Sequence, residues 1–255
     1  MTHDLTTTRP RLLPLTLLLA LCVPASAVAG PPFRTFDPVV VGRDKVELVG
    51  YYTQTLAADG RAGTLPGLEV HYGAFDGVEF DLAVQAAFST PSGGSTRRGI
   101  GATEISAKFR ILDETESAPM VALDAQFDFA TGNADRGLGL GSPAGLLGFA
   151  VQKNWGHLQA NFGAGYAITG GAGNRDYTFV GGQVQYQFSP RWILGAEVFR
   201  TSAQTDGQSA STGFNAGGYY VLDEHSQLLF SAGKGTRNAA ETNRVSTYLG
   251  YFYAF

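Results

Sequence analysis

Glu69, Glu79, Asp81, Glu104, Asp124, Asp128 and Glu197, together with Lys108 and Arg110, each stand at an alternate position among apolar neighbours. That spacing is how a strand shows one wet face and one greasy face. Pairing the segments about their turns sets His71 near Asp81, Asp81 near Lys108 and Lys108 near Asp124, with Glu79 and Arg110 one step toward the short-turn end. The chemistry open to such a row is charge-assisted hydrogen bonding across strands. It serves either as a belt that sorts ions or as a brace that holds four strands in register. A second set, Gln183, Glu197 and Asn215, surrounds one carboxylate with amides, which suits a solute-binding group or a self-satisfied polar network. Acids outnumber bases on these faces, so an interior lined by them is net negative and disfavours anions.

Catalysis requires an acid, a base or a nucleophile within hydrogen-bonding reach, and no such set emerges. His71 belongs to the row above, His157 shares a polar strand face with Gln159 and Asn161, and His225 occupies a turn. Asp59, Asp135, Asp176 and Asp206 fall in separate loops and give no metal spacing. The run Gly137-Leu138-Gly139-Leu140-Gly141 has no helix after it and reads as a loop, not a phosphate cradle. No cofactor and no metal are expected, and the chain does not read as an enzyme. Arg97 and Arg98, in a long loop, face either lipopolysaccharide phosphates or water.

The ends and the composition say where these faces sit. Arg9 and Arg11 precede an apolar run from Leu12 to Val23, followed by small residues at Ala25, Ala27 and Ala29. This is the pattern of a secretory signal peptide over residues 1–27, cleaved after Ala27 or Ala29. The single cysteine, Cys22, leaves with it, so neither disulfides nor cysteine-bound metals follow. With 18 basic and 22 acidic side chains the chain is close to charge balance, which excludes a basic nucleic-acid binder. Beyond the leader no apolar run reaches the ~20 residues of a membrane helix, so only a closed barrel would satisfy the backbone in lipid.

Period-two segments cover residues 45–56, 65–74, 78–89, 100–112, 119–130, 145–154, 157–168, 177–188, 191–202, 211–222, 226–234 and 244–255. Each has about the ten residues of a tilted membrane strand, and the connections alternate between short turns and long polar loops. Facing is plain in 100–112, where Ile105, Phe109 and Ile111 oppose Glu104, Lys108 and Arg110, and is open for 45–56 and 145–154. Trp155, Trp192, Tyr186 and Phe188 gather at the short-turn end as an aromatic girdle. A secreted β-sandwich would also alternate, but it does not explain that placement. The last strand carries Tyr251, Tyr253 and Phe255 on one face, resembling the C-terminal insertion signal of outer-membrane barrels and implying that assembly machinery reads it.

From about Val46 onward the chain resembles the family described as "Putative MetA-pathway of phenol degradation". The resemblance rests on residues 68–73, 99–109, 118–132 and 195–199, and on the Asn215 to Leu222 strand entering Asp223-Glu224. It departs at Gly101-Ala102 and at Ala130-Thr131-Gly132, where the family commonly shows Gly-Asp and Pro-Thr-Gly. The resemblance implies an outer-membrane barrel that moves small, often aromatic, compounds.

The expectation is therefore an all-β, antiparallel up-and-down barrel of about twelve strands over 45–255, with residues 28–44 as a periplasmic segment. That segment would offer Arg34 and Arg43 to the acids if it folded into the mouth. The expected partners are outer-membrane lipid and lipopolysaccharide, assembly machinery, and a small solute that is neutral or cationic. The rival readings are a structural barrel with a sealed lumen and a barrel hydrolase.

Overall fold

Alternation becomes pairing in the computed structural model, which describes residues 31–139 and 141–255. The strands are β1 (Val46–Leu56), β2 (Gly60–Phe75), β3 (Val78–Pro91), β4 (Arg97–Ile100), β5 (Thr103–Leu112), β6 (Met120–Phe129), β7 (Ala144–Trp155), β8 (Leu158–Thr169), β9 (Tyr177–Gln187), β10 (Trp192–Thr201), β11 (Ser211–Val221), β12 (Ser226–Arg237) and β13 (Val245–Ala254). Since β4 and β5 both lie along β3 as two lengths of one stave, the barrel has 12 staves. All pairings are antiparallel between sequence neighbours, and β1 closes the ring on β13 from Glu47 opposite Ala254 to Leu56 opposite Val245. The Phe255 N–H extends that seam to the Val46 carbonyl at 3.0 Å.

The two faces are inverted relative to a protein in water. Leu82, Ile105, Leu123, Leu147, Val184, Val198 and Leu249 point outward and exposed, whereas Glu79, Lys108, Gln152, Asn161, Gln183, Glu197 and Asn215 are buried within. Exposed apolar patches on this scale mark a lipid-facing surface. Trp155, Trp192, Tyr186 and Phe188 are all exposed near the short turns. Closure of a single sheet removes the sandwich alternative.

Strands run past their expected ends at the long-loop side. The expected loop 57–64 shrinks to residues 57–59, β3 reaches Pro91, β4 appears within 89–99, and β12 reaches Arg237 before a short helix, α1 (Ala239–Thr242). Where both faces are wet, ladder hydrogen bonds form without apolar alternation, so periodicity stops before the strand does. At the other end, turn chemistry dominates. Hydrogen bonds from the Ser226 hydroxyl and from the N–H groups of His225 and Ser226 hold the exposed Asp223 carboxyl below the usual carboxylate range.

The interior is only partly polar. Val49, Tyr219, Leu229 and Phe252, from β1, β11, β12 and β13, form a dry cluster completed by Phe33 from the N-terminal segment. This corrects the expectation of a uniformly wet lumen. It also settles β1, whose Glu47, Val49 and Tyr51 face inward, while Gly148, Ala150 and Gln152 are the inward residues of β7. Leu229 is fully buried, so Leu229→Ala should cost about 2–5 kcal/mol and lower the unfolding midpoint of the detergent-solubilised barrel in a urea titration.

Candidate functional site

The N-terminal segment, expected to lie outside in the periplasm, instead runs up inside the barrel, with Phe33, Thr35, Asp37, Pro38, Val40 and Val41 buried. Residues 28–30 and the signal-peptide reading lie outside the described residues. The physical reason is a supply of acceptors. One Glu197 oxygen, Oε2, accepts the Thr35 N–H at 2.8 Å and its hydroxyl at 2.7 Å, and the carboxylate as a whole also accepts the Arg34 N–H at 2.9 and 3.0 Å. Asn215 Nδ2 donates to the other oxygen at 2.6 Å. An irregular segment cannot bond its own backbone, so a buried carboxylate that takes two successive N–H groups holds it in place. Lower down, the Val41 N–H donates to Glu79 Oε2 at 2.5 Å and Lys108 Nζ donates to the Val39 carbonyl at 3.1 Å. The Ser231 hydroxyl donates to the Pro32 carbonyl at 2.7 Å.

Aromatic packing completes the seat. Phe36 meets Phe179 edge-on at 5.6 Å, and the Arg34 guanidinium lies 4.5 Å from the centre of the Phe199 ring. The wall makes room for this. A Cβ on Gly163 would come within 2.9 Å of Phe36, one on Gly165 or Gly148 would crowd the same ring, and one on Gly181 would strike the Thr35 hydroxyl. These glycines form a footprint on β7, β8 and β9 where the segment lies against the wall.

The charged row forms on the adjoining staves β2, β3, β5 and β6. His71 stands across from Asp81 and bonds it at 2.8 Å, with Glu69 at 3.6 Å on its other nitrogen. The Ser106 hydroxyl donates to Asp81 at 2.7 Å. Lys108 lies 3.4 Å from Glu79 and 4.0 Å from Asp37, and is in register with Asp124. Two expected neighbours differ: Glu79, not Asp81, opposes Lys108, and Asp81 opposes Ser106. The cause is the hairpin between β3 and β4, which pairs Ala86 with Ile100 and so centres on Gly93, and the break at Gly101-Ala102 that resets the register before β5. Glu79 is thus central to the row and fully buried. Arg110 leaves it, pairing with Asp113 in the next turn at 2.7 Å.

The remaining sequence-selected side chains fall into place by register. Glu197 lies between Gln183 on β9 and Asn215 on β11. Glu104 and Asp128 oppose one another and line, with Gln85 and Gln126, a cavity of about 300 Å³ at the long-loop end. Tyr251, Tyr253 and Phe255 are exposed on the outer face of the seam. Arg43 stays outside, near Asp44 and Asp76. His71, Glu79 and Asp81 present ligand-type atoms within 4.8 Å of one another, but a metal ion there would meet the Lys108 ammonium as a like charge. Sequence reading missed Asp37 and the inward aromatics Phe179, Phe199, Tyr219 and Phe252. The available signal was parity, since Phe199 shares the face of Glu197, and glycines stood at matching inward positions.

The family model described as "Putative MetA-pathway of phenol degradation" matches residues 71–252. The chain belongs to that family. Among solved structures, the COG4313 outer membrane channel from Pseudomonas putida F1 is similar at a TM-score of 0.69 and 14% identity, over 86% of this chain and 98% of that one. The NanC porin follows at 0.55 and 12% identity, over 82% and 98%, and the KdgM porin at 0.54 and 14%, over 82% and 99%. At these identities the likeness is one of fold. No curated protein matches the sequence.

If Glu197 seats the segment, Glu197→Ala leaves two backbone N–H groups unmatched at about 1–3 kcal/mol each. Hydrogen exchange should then show the amides of Arg34 and Thr35 losing protection, while the ladder amides of β10 and β11 keep theirs. Unchanged protection at Thr35 would remove Glu197 from this role.

Proposed function

We propose that this family member is an outer-membrane channel through which small solutes pass passively, with neutral and cationic ones favoured over anions and aromatic compounds among its cargo. The observation that carries this reading is a closed barrel, apolar outside, whose interior row of Glu69, Glu79, Asp81, Glu104, Asp124 and Asp128 faces few cations. A low-dielectric wall around excess negative charge disfavours anions and tolerates cations. The channel and porins of similar fold support passage as the role, and the family description supports aromatic compounds as cargo. The barrel carries no catalytic role in this reading. Its partners are lipid and lipopolysaccharide around the wall, the machinery that reads the Tyr251, Tyr253 and Phe255 strand, and export begins with the cleaved leader.

One observation favours a sealed structural barrel: segment 31–41 fills much of the lumen and closes the dry cluster through Phe33. Single-channel recording in planar bilayers separates the two. A channel should give a small cation-preferring conductance that grows on deleting residues 31–43. Lys108→Ala removes an inward cation and a tie to the Val39 carbonyl, so it should raise both conductance and cation preference. Silence from all three proteins would establish the sealed barrel.

A further inference from the structure

At the long-loop end a cavity of about 340 Å³ lies over Pro32, Phe33 and Arg34, walled by β1 and by β10 to β13. Its lining mixes neutral polar side chains with apolar ones such as Phe33 and Phe199, and among the described residues Arg34 is the one charged side chain on it. The residue is fixed twice over, by its backbone bonds to Glu197 and by its guanidinium over Phe199. Glu197 does not quench it locally by hydrogen bonding, since those oxygens are taken by the N–H groups of Arg34 and Thr35, the Thr35 hydroxyl and Asn215. Among the described residues the guanidinium has no hydrogen-bonded acceptor, so a planar donor fork faces the cavity.

Two side chains of the same wall hold polar atoms without a partner, the Thr201 hydroxyl and the Asn243 side-chain carbonyl, whereas the Tyr248 hydroxyl leans back over Gly250 toward the dry cluster. Thr201 is 3% exposed and Asn243 7%, which makes unmatched polarity costly at both. The Asn243 oxygen can only accept, and the Thr201 hydroxyl can donate or accept. Their natural complement is a ligand bearing hydroxyl groups, as the complement of Arg34 is one carboxylate. A purely apolar ligand would leave all three unmatched, and a polyanion would find no second cation among the described residues.

We propose that this cavity binds a small polyhydroxylated monocarboxylate, its carboxylate on Arg34 and its hydroxyls toward Thr201 and Asn243. The volume suits a single sugar-sized ring. The site goes beyond the channel reading and does not need conduction. Because the acids Glu79 and Asp81 lie deeper, on the far wall, the anion is held at the mouth and not drawn through.

The test is calorimetric titration of the whole refolded barrel in detergent with glucuronate, beside glucose, which lacks the charge, and acetate, which lacks the hydroxyls. Saturable glucuronate binding should be tighter than either control by about tenfold or more, and Arg34→Gln should abolish that advantage over glucose, the loss expected for a charge-assisted contact. Asn243→Leu should weaken glucuronate and leave acetate unchanged. Heat-modified gel migration reports whether each variant has closed its barrel. Acetate equal to glucuronate, undiminished binding by Arg34→Gln, or no saturable binding of any probe would overturn the site. A silent bilayer with intact glucuronate binding counts against the channel alone, and a conducting barrel without such binding counts against the site alone.

Discussion

Ten consecutive register positions between β1 and β13 carry the structure, because backbone N–H and C=O groups have no water to bond in hydrocarbon. An open sheet of these strands would leave two rows of unpaired groups at its edges, each costing several kcal/mol in lipid. Closure fixes strand order, sends alternate side chains in and out, and sets both the lumen and its size. With 12 staves the bore exceeds what strand side chains alone fill, and the chain meets that surplus with its own N-terminal segment.

The interior is divided by chemistry. On β2, β3 and β5, His71, Glu79, Asp81 and Lys108 form an ion network in which no member stands alone. On β1 and β11 to β13 the wall is dry. Segment 31–41 crosses between these sectors, giving backbone groups to Glu79, Lys108 and Glu197 and a phenyl ring to the dry cluster. Buried charge is costly unless paired, and here the pairs include main-chain groups of the inserted segment. The same bonds that satisfy the carboxylates therefore hold the segment.

Strand positions, facing and the closed ring were legible from alternation, because a membrane barrel imposes period two on nearly every residue it spans. The His71 and Asp81 neighbours also followed, since the turn at Asp76-Gly77 is too short to shift register. Lys108 was misplaced by two residues because a longer loop hides where the chain turns, and Gly93 and Gly94 carried that information without declaring it. The inserted segment was harder still. Nothing periodic marks irregular backbone, and its partners Glu197 and Glu79 look like any other inward acids until the donors arrive. Inward Phe199 and Phe252 share the parity of Glu197 and of Gly250, so alternation carried their facing, but not that a dry cluster and a guanidinium would pack on them.

The footprint of Phe36 on Gly148, Gly163 and Gly165 bears on the shape of the bore itself. Each missing side chain thins the wall by the depth of one residue, all on the two neighbouring staves β7 and β8. Were the inserted strand of chain withdrawn, the tube left behind would not be round in section but would carry a shallow flute along one flank, ring-sized and lined by main chain. A flat solute travelling edge-first would find its widest berth in that flute, bordered on one side by Asp124, the register partner of Gly148.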